Sequence, residues 1–177
     1  MDKYIALFRG INVGGNNILP MTELVKVLED LGLSHIKTYI QSGNVVFQSK
    51  IVNSAELSQK ICAAIEERYG FVIQVLILDV NELENAIASN PFLEAQAEPN
   101  TLHFFFLSSL PNNPNLKALE SVKKDSEQFK LIDKVFYLYA PEGVGRSKLA
   151  MKVEKMVGMA VTARNCQTVS KILEMVE

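Results

Sequence analysis

Ile36-Lys37-Thr38-Tyr39-Ile40-Gln41-Ser42-Gly43-Asn44-Val45-Val46-Phe47-Gln48 is the stretch that decides the fold. It reads as two short strands, near 36–40 and 44–48, joined by the polar turn Gln41-Ser42-Gly43, which is hairpin chemistry. Helical patterns flank it on both sides. Upstream, Pro20 and Thr22 open a helix with Leu24, Val25, Val27, Leu28 and Leu31 on one side, and Gly32 ends it. Downstream, Asn53 and Glu56 spell a capping box for a second helix carrying Leu57, Ile61, Ala64 and Ile65 and stopping at Gly70. Apolar strands over 3–8 and 71–78 complete the run. The order β-α-β-β-α-β is the ferredoxin-like split βαβ pattern, an α+β fold with antiparallel or mixed sheets.

The rest of the chain repeats much of that order. Asp79 and Glu82 cap a third helix bearing Leu83, Ala86 and Ile87, which ends before Asn90-Pro91-Phe92. Residues 93–100 read as a linker. The segment 101–107 is apolar on both faces, as a central strand is. Asn113-Pro114 starts a helix with proline in its first turn. A hairpin over 128–132 and 135–140 turns at Asp133-Lys134, and helices over 147–157 and 166–176 follow, separated by Gly158 and a short link. Residues 101–157 therefore spell β-α-β-β-α. A degenerate internal duplication explains this, and so does the frequency of that order among small α+β domains. The expected organisation is a ferredoxin-like subdomain over 1–90 and a second α+β subdomain with two C-terminal helices over 91–177, or one compact domain.

The 177 residues are 48% apolar and 21% charged, an ordinary globular composition. No apolar run reaches the length of a membrane span, and the N-terminal apolar stretch is too short for a signal peptide. Cys62 and Cys166 are single and far apart, which indicates neither a zinc site nor a redox pair and fits a reducing cytoplasm. The formal net charge of −2 argues against a strongly basic nucleic-acid binder. Its distribution is uneven: +1 over 1–50, −6 over 51–133 and +3 over 134–177, so a local anion site is compatible with the ends of the chain.

Candidate chemistry begins with Arg9-Gly10-Ile11-Asn12-Val13-Gly14-Gly15, where the first strand stops. Glycines let backbone N–H groups approach a ligand, and Arg9 and Asn12 can hydrogen-bond it. Gly10-x4-Gly15 fails as a phosphate-binding P-loop, because Asn16 and Asn17 stand where Lys and Ser or Thr are needed. A wide strand-to-helix turn explains the glycines equally well. In a ferredoxin-like unit the first and third strands are antiparallel neighbours. Arg9 and Asn12 should then meet Gln41, Ser42 and Asn44 at one edge of the sheet, with Gly14 and Gly15 beside them.

Two further segments carry cations at expected helix starts. Gly143-Val144-Gly145-Arg146-Ser147-Lys148 lacks the third glycine and the later acidic residue of a dinucleotide fingerprint, yet its helix N-terminus favours an anion. Thr162-Ala163-Arg164-Asn165 precedes the last helix, with Asn165 or Thr162 as its cap. A cation at a helix N-terminus opposes the macrodipole at a cost of about 0.3–1 kcal/mol. Arg146, Lys148 and Arg164 thus ask for acidic partners or an anionic ligand. Classical catalytic sets are absent: His35 and His103 are isolated, with His103 in a buried-looking strand, and no catalytic residue, metal site or cofactor is indicated. Tyr39, beside the Gln41 turn, is the one aromatic outside a plain core role.

Taken together, the 9–15 motif, Tyr39-Ile40-Gln41-Ser42-Gly43-Asn44-Val45-Val46-Phe47, Arg146-Ser147-Lys148-Leu149 and Thr162-x-Arg164-Asn165-x-x-Thr168-Val169 resemble the largely bacterial domain-of-unknown-function family sixteen ninety-seven. The resemblance implies a cytoplasmic α+β protein of about this length and brings no established activity. The chain departs from the family at Cys166, where tryptophan is frequent.

These observations frame three expectations. The first is a site for a phosphorylated or otherwise anionic ligand, a nucleotide or a nucleic-acid phosphate. Its two walls would be Arg9, Asn12, Gly14, Gly15, Gln41, Ser42 and Asn44, and Arg146, Ser147, Lys148, Arg164 and Asn165. The second is an enzyme acting on a small phosphorylated metabolite. The third is a structural or oligomeric module. The sequence is silent on oligomeric state.

Overall fold

The computed structural model describes residues 1–177. Eight strands and six α-helices follow one another as β1 (Asp2–Arg9), α1 (Met21–Asp30), β2 (Ser34–Tyr39), β3 (Asn44–Ser49), α2 (Ser54–Tyr69), β4 (Gln74–Asp79) and α3 (Val80–Ala88). They continue as β5 (Leu102–Leu107), α4 (Leu116–Val122), β6 (Gln128–Ile132), β7 (Val135–Tyr139), α5 (Lys148–Val157), β8 (Val161–Asn165) and α6 (Cys166–Val176). The chain divides into two compact units, residues 1–84 with 172–177, and residues 85–171.

The first unit holds one antiparallel sheet in the order β2-β3-β1-β4. β1 lies at its centre because both faces of the strand are apolar: Tyr4, Ala6 and Phe8 on one side, Ile5 and Leu7 on the other, all buried. Helices α1 and α2 cover the first of these faces through Leu24, Val27, Leu28, Leu57, Ile61 and Ile65. Each such side chain, removed fully from water, contributes about 1.5–3 kcal/mol. Asn53 caps α2, its Oδ1 accepting from the Glu56 amide at 3.0 Å. The expected reciprocal half of that box is replaced by a salt bridge from Glu56 to Lys60. The Asp79–Glu82 box at the start of α3 is complete, with bonds of 2.8 and 2.9 Å.

The second unit has the same topology, β6-β7-β5-β8. β5 is its central strand, paired with β7 and β8. Helices α4 and α5 cover the face carrying Phe105, Leu107, Phe136 and Leu138.

Four local expectations are corrected. β4 begins at Gln74, three residues later than its apolar run. Residues 93–97 of the expected linker form a 3-10 helix. Pro114 stands outside α4, because Asn115 is the cap and its Oδ1 accepts from the Ala118 amide at 3.2 Å. The short link before the last helix is strand β8, which completes a second β-α-β-β-α-β run. Val161-Thr162-Ala163-Arg164-Asn165 is short and polar at its end, so pairing with β5 decides its state more than its own composition does.

Candidate functional site

The glycine-rich loop after β1 is a miniature hairpin. The Asn16 amide donates to the Val13 carbonyl at 2.9 Å, and the Asn12 amide to the Asn17 carbonyl at 3.1 Å. Gly14 and Gly15 hold φ of 57° and 77° at its tip, the pair of positive values that a type I′ turn demands. The Asn17 side chain donates to the Gly10 carbonyl at 2.8 Å. These glycines make a turn.

The two loops expected to meet do meet. Leu7 pairs with Asn44 across β1 and β3, and the Phe8 amide donates to the Gly43 carbonyl at 2.9 Å. Asn12 fastens the loops together. Its Nδ2 donates to the Leu19 and Gln41 carbonyls, and its Oδ1 accepts from the Leu19 amide, each at 2.8 Å. Both side-chain amide hydrogens are thereby used inside the protein. Asn44 is fully buried, and its Nδ2 donates to the Tyr39 carbonyl at 2.9 Å and to Ser42 Oγ at 3.2 Å. Arg9 reaches Gln74 Oε1 at 3.4 Å, across the β1–β4 pair. Asn12 and Asn44 are braces. Gly14, Gly15, Gln41 and Ser42 are exposed around them.

In the second unit, a 3-10 turn over Val144–Arg146 leads into α5. Ser147 is buried and caps this helix, its Oγ accepting from the Ala150 amide at 3.0 Å. Arg146 and Lys148 flank the cap, and both are exposed with no hydrogen bond or ion pair. Lys148 occupies the first helical position, where its charge opposes the helix dipole. The nearby carboxylate of Glu142 accepts a hydrogen bond from Ser126 Oγ.

Arg164 is placed differently from its expected helix start. It is a β8 residue paired with Phe104, and strand alternation turns it to the sheet face opposite Ala163 and Asn165. The macrodipole argument therefore does not apply to it. Its Nη1 donates to the Ala163 carbonyl at 2.8 Å, and burial pushes the guanidinium down to about 10, still cationic at neutral pH. Asn165 caps α6 through a 2.9 Å bond from the Thr168 amide, and its Nδ2 donates to Asn100 Oδ1 at 3.4 Å.

Two titratable groups that the sequence reading set aside or passed over share one end of this sheet. His103 sits opposite Leu138 and Asn165. Glu127 immediately precedes β6, beside the end of β7, where Gln128 pairs with Tyr139. Alternation puts both on the face covered by α4 and α5, and the chain enters α5 from this same end after Ala140 bonds the Thr101 carbonyl at 2.8 Å. His103 Nδ1 and Glu127 Oε2 are buried without a hydrogen-bond partner, while Glu127 Oε1 accepts from the Lys124 amide at 2.8 Å. Burial pushes the His103 imidazole below its ordinary value, against a smaller raising effect of the Thr101 backbone. No spacing or motif marks these two groups, because only the strand order β6-β7-β5 brings them to one end of the sheet. No group of three or more His, Cys, Asp or Glu side chains is placed to hold a metal, and no helix is long and apolar enough to cross a membrane.

Two ferredoxin-like units define the chain as a tandem α+β protein. Residues 1–137 match the family described as "Protein of unknown function (DUF1697)", and the chain belongs to it. The fold is similar to that of the conserved bacterial protein SP0830 from Streptococcus pneumoniae, with a TM-score of 0.76 and 26% identity over 99% of both chains. No curated protein matches the sequence.

Proposed function

We propose that the start of α5 binds a phosphorylated or otherwise anionic ligand, such as a nucleotide or a nucleic-acid phosphate. The observation that carries this reading is the exposed pair Arg146 and Lys148, which flank the α5 cap and have no internal partner. Ser147 Oγ satisfies one amide of the first turn, so other N–H groups there are open to an oxyanion. A bound phosphate would remove the unfavourable interaction of Lys148 with the helix dipole. Gly143 and Gly145 keep the approach free of side chains. Arg164 adds a further positive charge at the end of β8, on the sheet face opposite Asn165, and neither residue contributes to the α5 start itself.

Equilibrium titration with phosphomonoesters, nucleotides and short RNAs at two salt concentrations tests the proposal. Binding weakened by salt, and by Arg146→Ala with Lys148→Ala, supports it. Binding indifferent to both substitutions, or none at all, overturns it.

A second reading is an enzyme acting on a small phosphorylated metabolite. It is favoured by the buried, partnerless His103 Nδ1 and Glu127 Oε2, which would supply acid and base groups near the cation-bearing turn. Turnover abolished by His103→Gln at unchanged ligand affinity, and retained in a conservative core variant such as Val153→Ile, distinguishes this from simple binding. In the first unit, the hydrogen bonds of Asn12 and Asn44 support a structural role for that wall.

A further inference from the structure

The face of the first sheet opposite α1 and α2 carries a cleft of about 170 Å³, lined by Lys3, His35, Lys37, Gln48, Val46 and Phe47, with Met175 closing one side. It owes its form to the last turn of α6, which lies on this face. Lys3 Nζ donates to the Val176 carbonyl at 2.7 Å and Lys37 Nζ to the Met175 carbonyl at 3.2 Å. These bonds satisfy carbonyls at the negative end of a helix dipole, so the lysines have a structural duty. That duty does not exhaust them. An ammonium has three donors, and each lysine has one such bond here.

His35 Nδ1 is 3.3 Å from Ser34 Oγ, which leaves Nε2 as a further polar group, and Gln48 adds an amide. No carboxylate is among the lining residues, and Asp2 lies on the opposite face of β1 by alternation. Two ammonium groups face the roughly half charge of the helix end, while Glu174 and Glu177 of the same turn are exposed and lie outside the lining. The cleft therefore has the chemistry of an anion site. Its size sets the class: a cavity of ~150 Å³ admits a benzene-sized molecule, whereas pockets for larger organic ligands run to about 300–1,000 Å³.

We propose that this cleft is a second anion site, independent of α5, that takes one small oxyanion, a phosphate or a carboxylate, between Lys3 and Lys37. Bound there, the anion holds both ammonium groups against the α6 terminus and so strengthens the seat of that turn on the sheet.

The test is amide chemical-shift mapping of the full chain, titrated separately with inorganic phosphate and with acetate at constant ionic strength. The expected result is saturable movement at Lys3, His35, Lys37 and Gln48, with affinity falling about tenfold in Lys37→Met and unchanged in the Arg146→Ala, Lys148→Ala variant. Lys37 is exposed, and so tolerates substitution. A preference for phosphate or for acetate names the oxyanion. Movement confined to the α5 start would overturn this site while leaving the α5 proposal standing. Unsaturable movement at the cleft, or movement untouched by Lys37→Met, would also overturn it.

Discussion

Replacing Gly43 by alanine would put a methyl group 2.6 Å from Cβ of Phe8 and 2.8 Å from Cδ1 of Ile11. The Ile11 methyl is the far end of a flexible side chain and can give way. Phe8 Cβ is fixed to the central strand, whose amide bonds the Gly43 carbonyl, so β1 or the turn must shift. Overpacking of this kind costs about 1–3 kcal/mol. Gly43 also holds φ of 86°, where an L-residue pays roughly 1–2 kcal/mol. The sum is about 2–5 kcal/mol. Gly32→Ala provides the control: φ is 84° there, but nothing lies within 4 Å of the added methyl, so only the backbone part remains. Native-state hydrogen exchange at β1 and β3 amides reports the first unit specifically, which a whole-chain melting curve does not. Gly43→Ala should lower protection by about 1–3 kcal/mol more than Gly32→Ala does. Equal losses would refute the claim that the turn is packed directly against β1.

Other perturbations follow from the same geometry. Asn12→Gly keeps the positive φ and removes three hydrogen bonds, so it should cost about 1.5–4.5 kcal/mol in the same exchange measurement. Ser147→Ala should destabilise α5 by about 0.5–2 kcal/mol, read from exchange in that helix. His103 has a depressed folded-state value, so at acid pH the unfolded chain takes up a proton more readily than the folded one. Its contribution is full above its ordinary value of 6.5 and is lost as pH falls from there toward the folded value. His103→Leu should flatten the stability profile of the second unit in that window, as measured by native-state hydrogen exchange at β5 and β7 amides at stepped pH.

The split βαβ order was legible because it rests on local signals: periodic helices, a polar turn and caps at Asn53 and Asp79. The meeting of the loop at Asn12 with the turn at Gln41 was legible because topology dictates it, whereas Arg9 reaches across to Gln74 of β4. The role of Asn12 was not, since an asparagine that braces two loops and one that grips a ligand have the same side chain. What separates them is the Leu19 and Gln41 backbone, reached only after folding. β8 was hidden for a related reason. Five residues ending in Arg164-Asn165 carry a visible helix cap, while their strand character comes from β5. Arg164 moved from a helix start to a strand in consequence. Arg146, Ser147 and Lys148 stayed where the sequence put them, because a glycine-rich turn and a serine cap are local features. His103 and Glu127 were invisible as a pair, since their proximity to one sheet end depends on strand order.

The most direct test of the anion-binding account is a phosphomonoester titration followed through the backbone amides of Ser147, Lys148 and Leu149. The account predicts saturable movement of these signals, with affinity that falls as salt rises and is weakened in Arg146→Ala, Lys148→Ala. Amides at the start of α5 that do not respond, or that respond equally in the double variant, would contradict it.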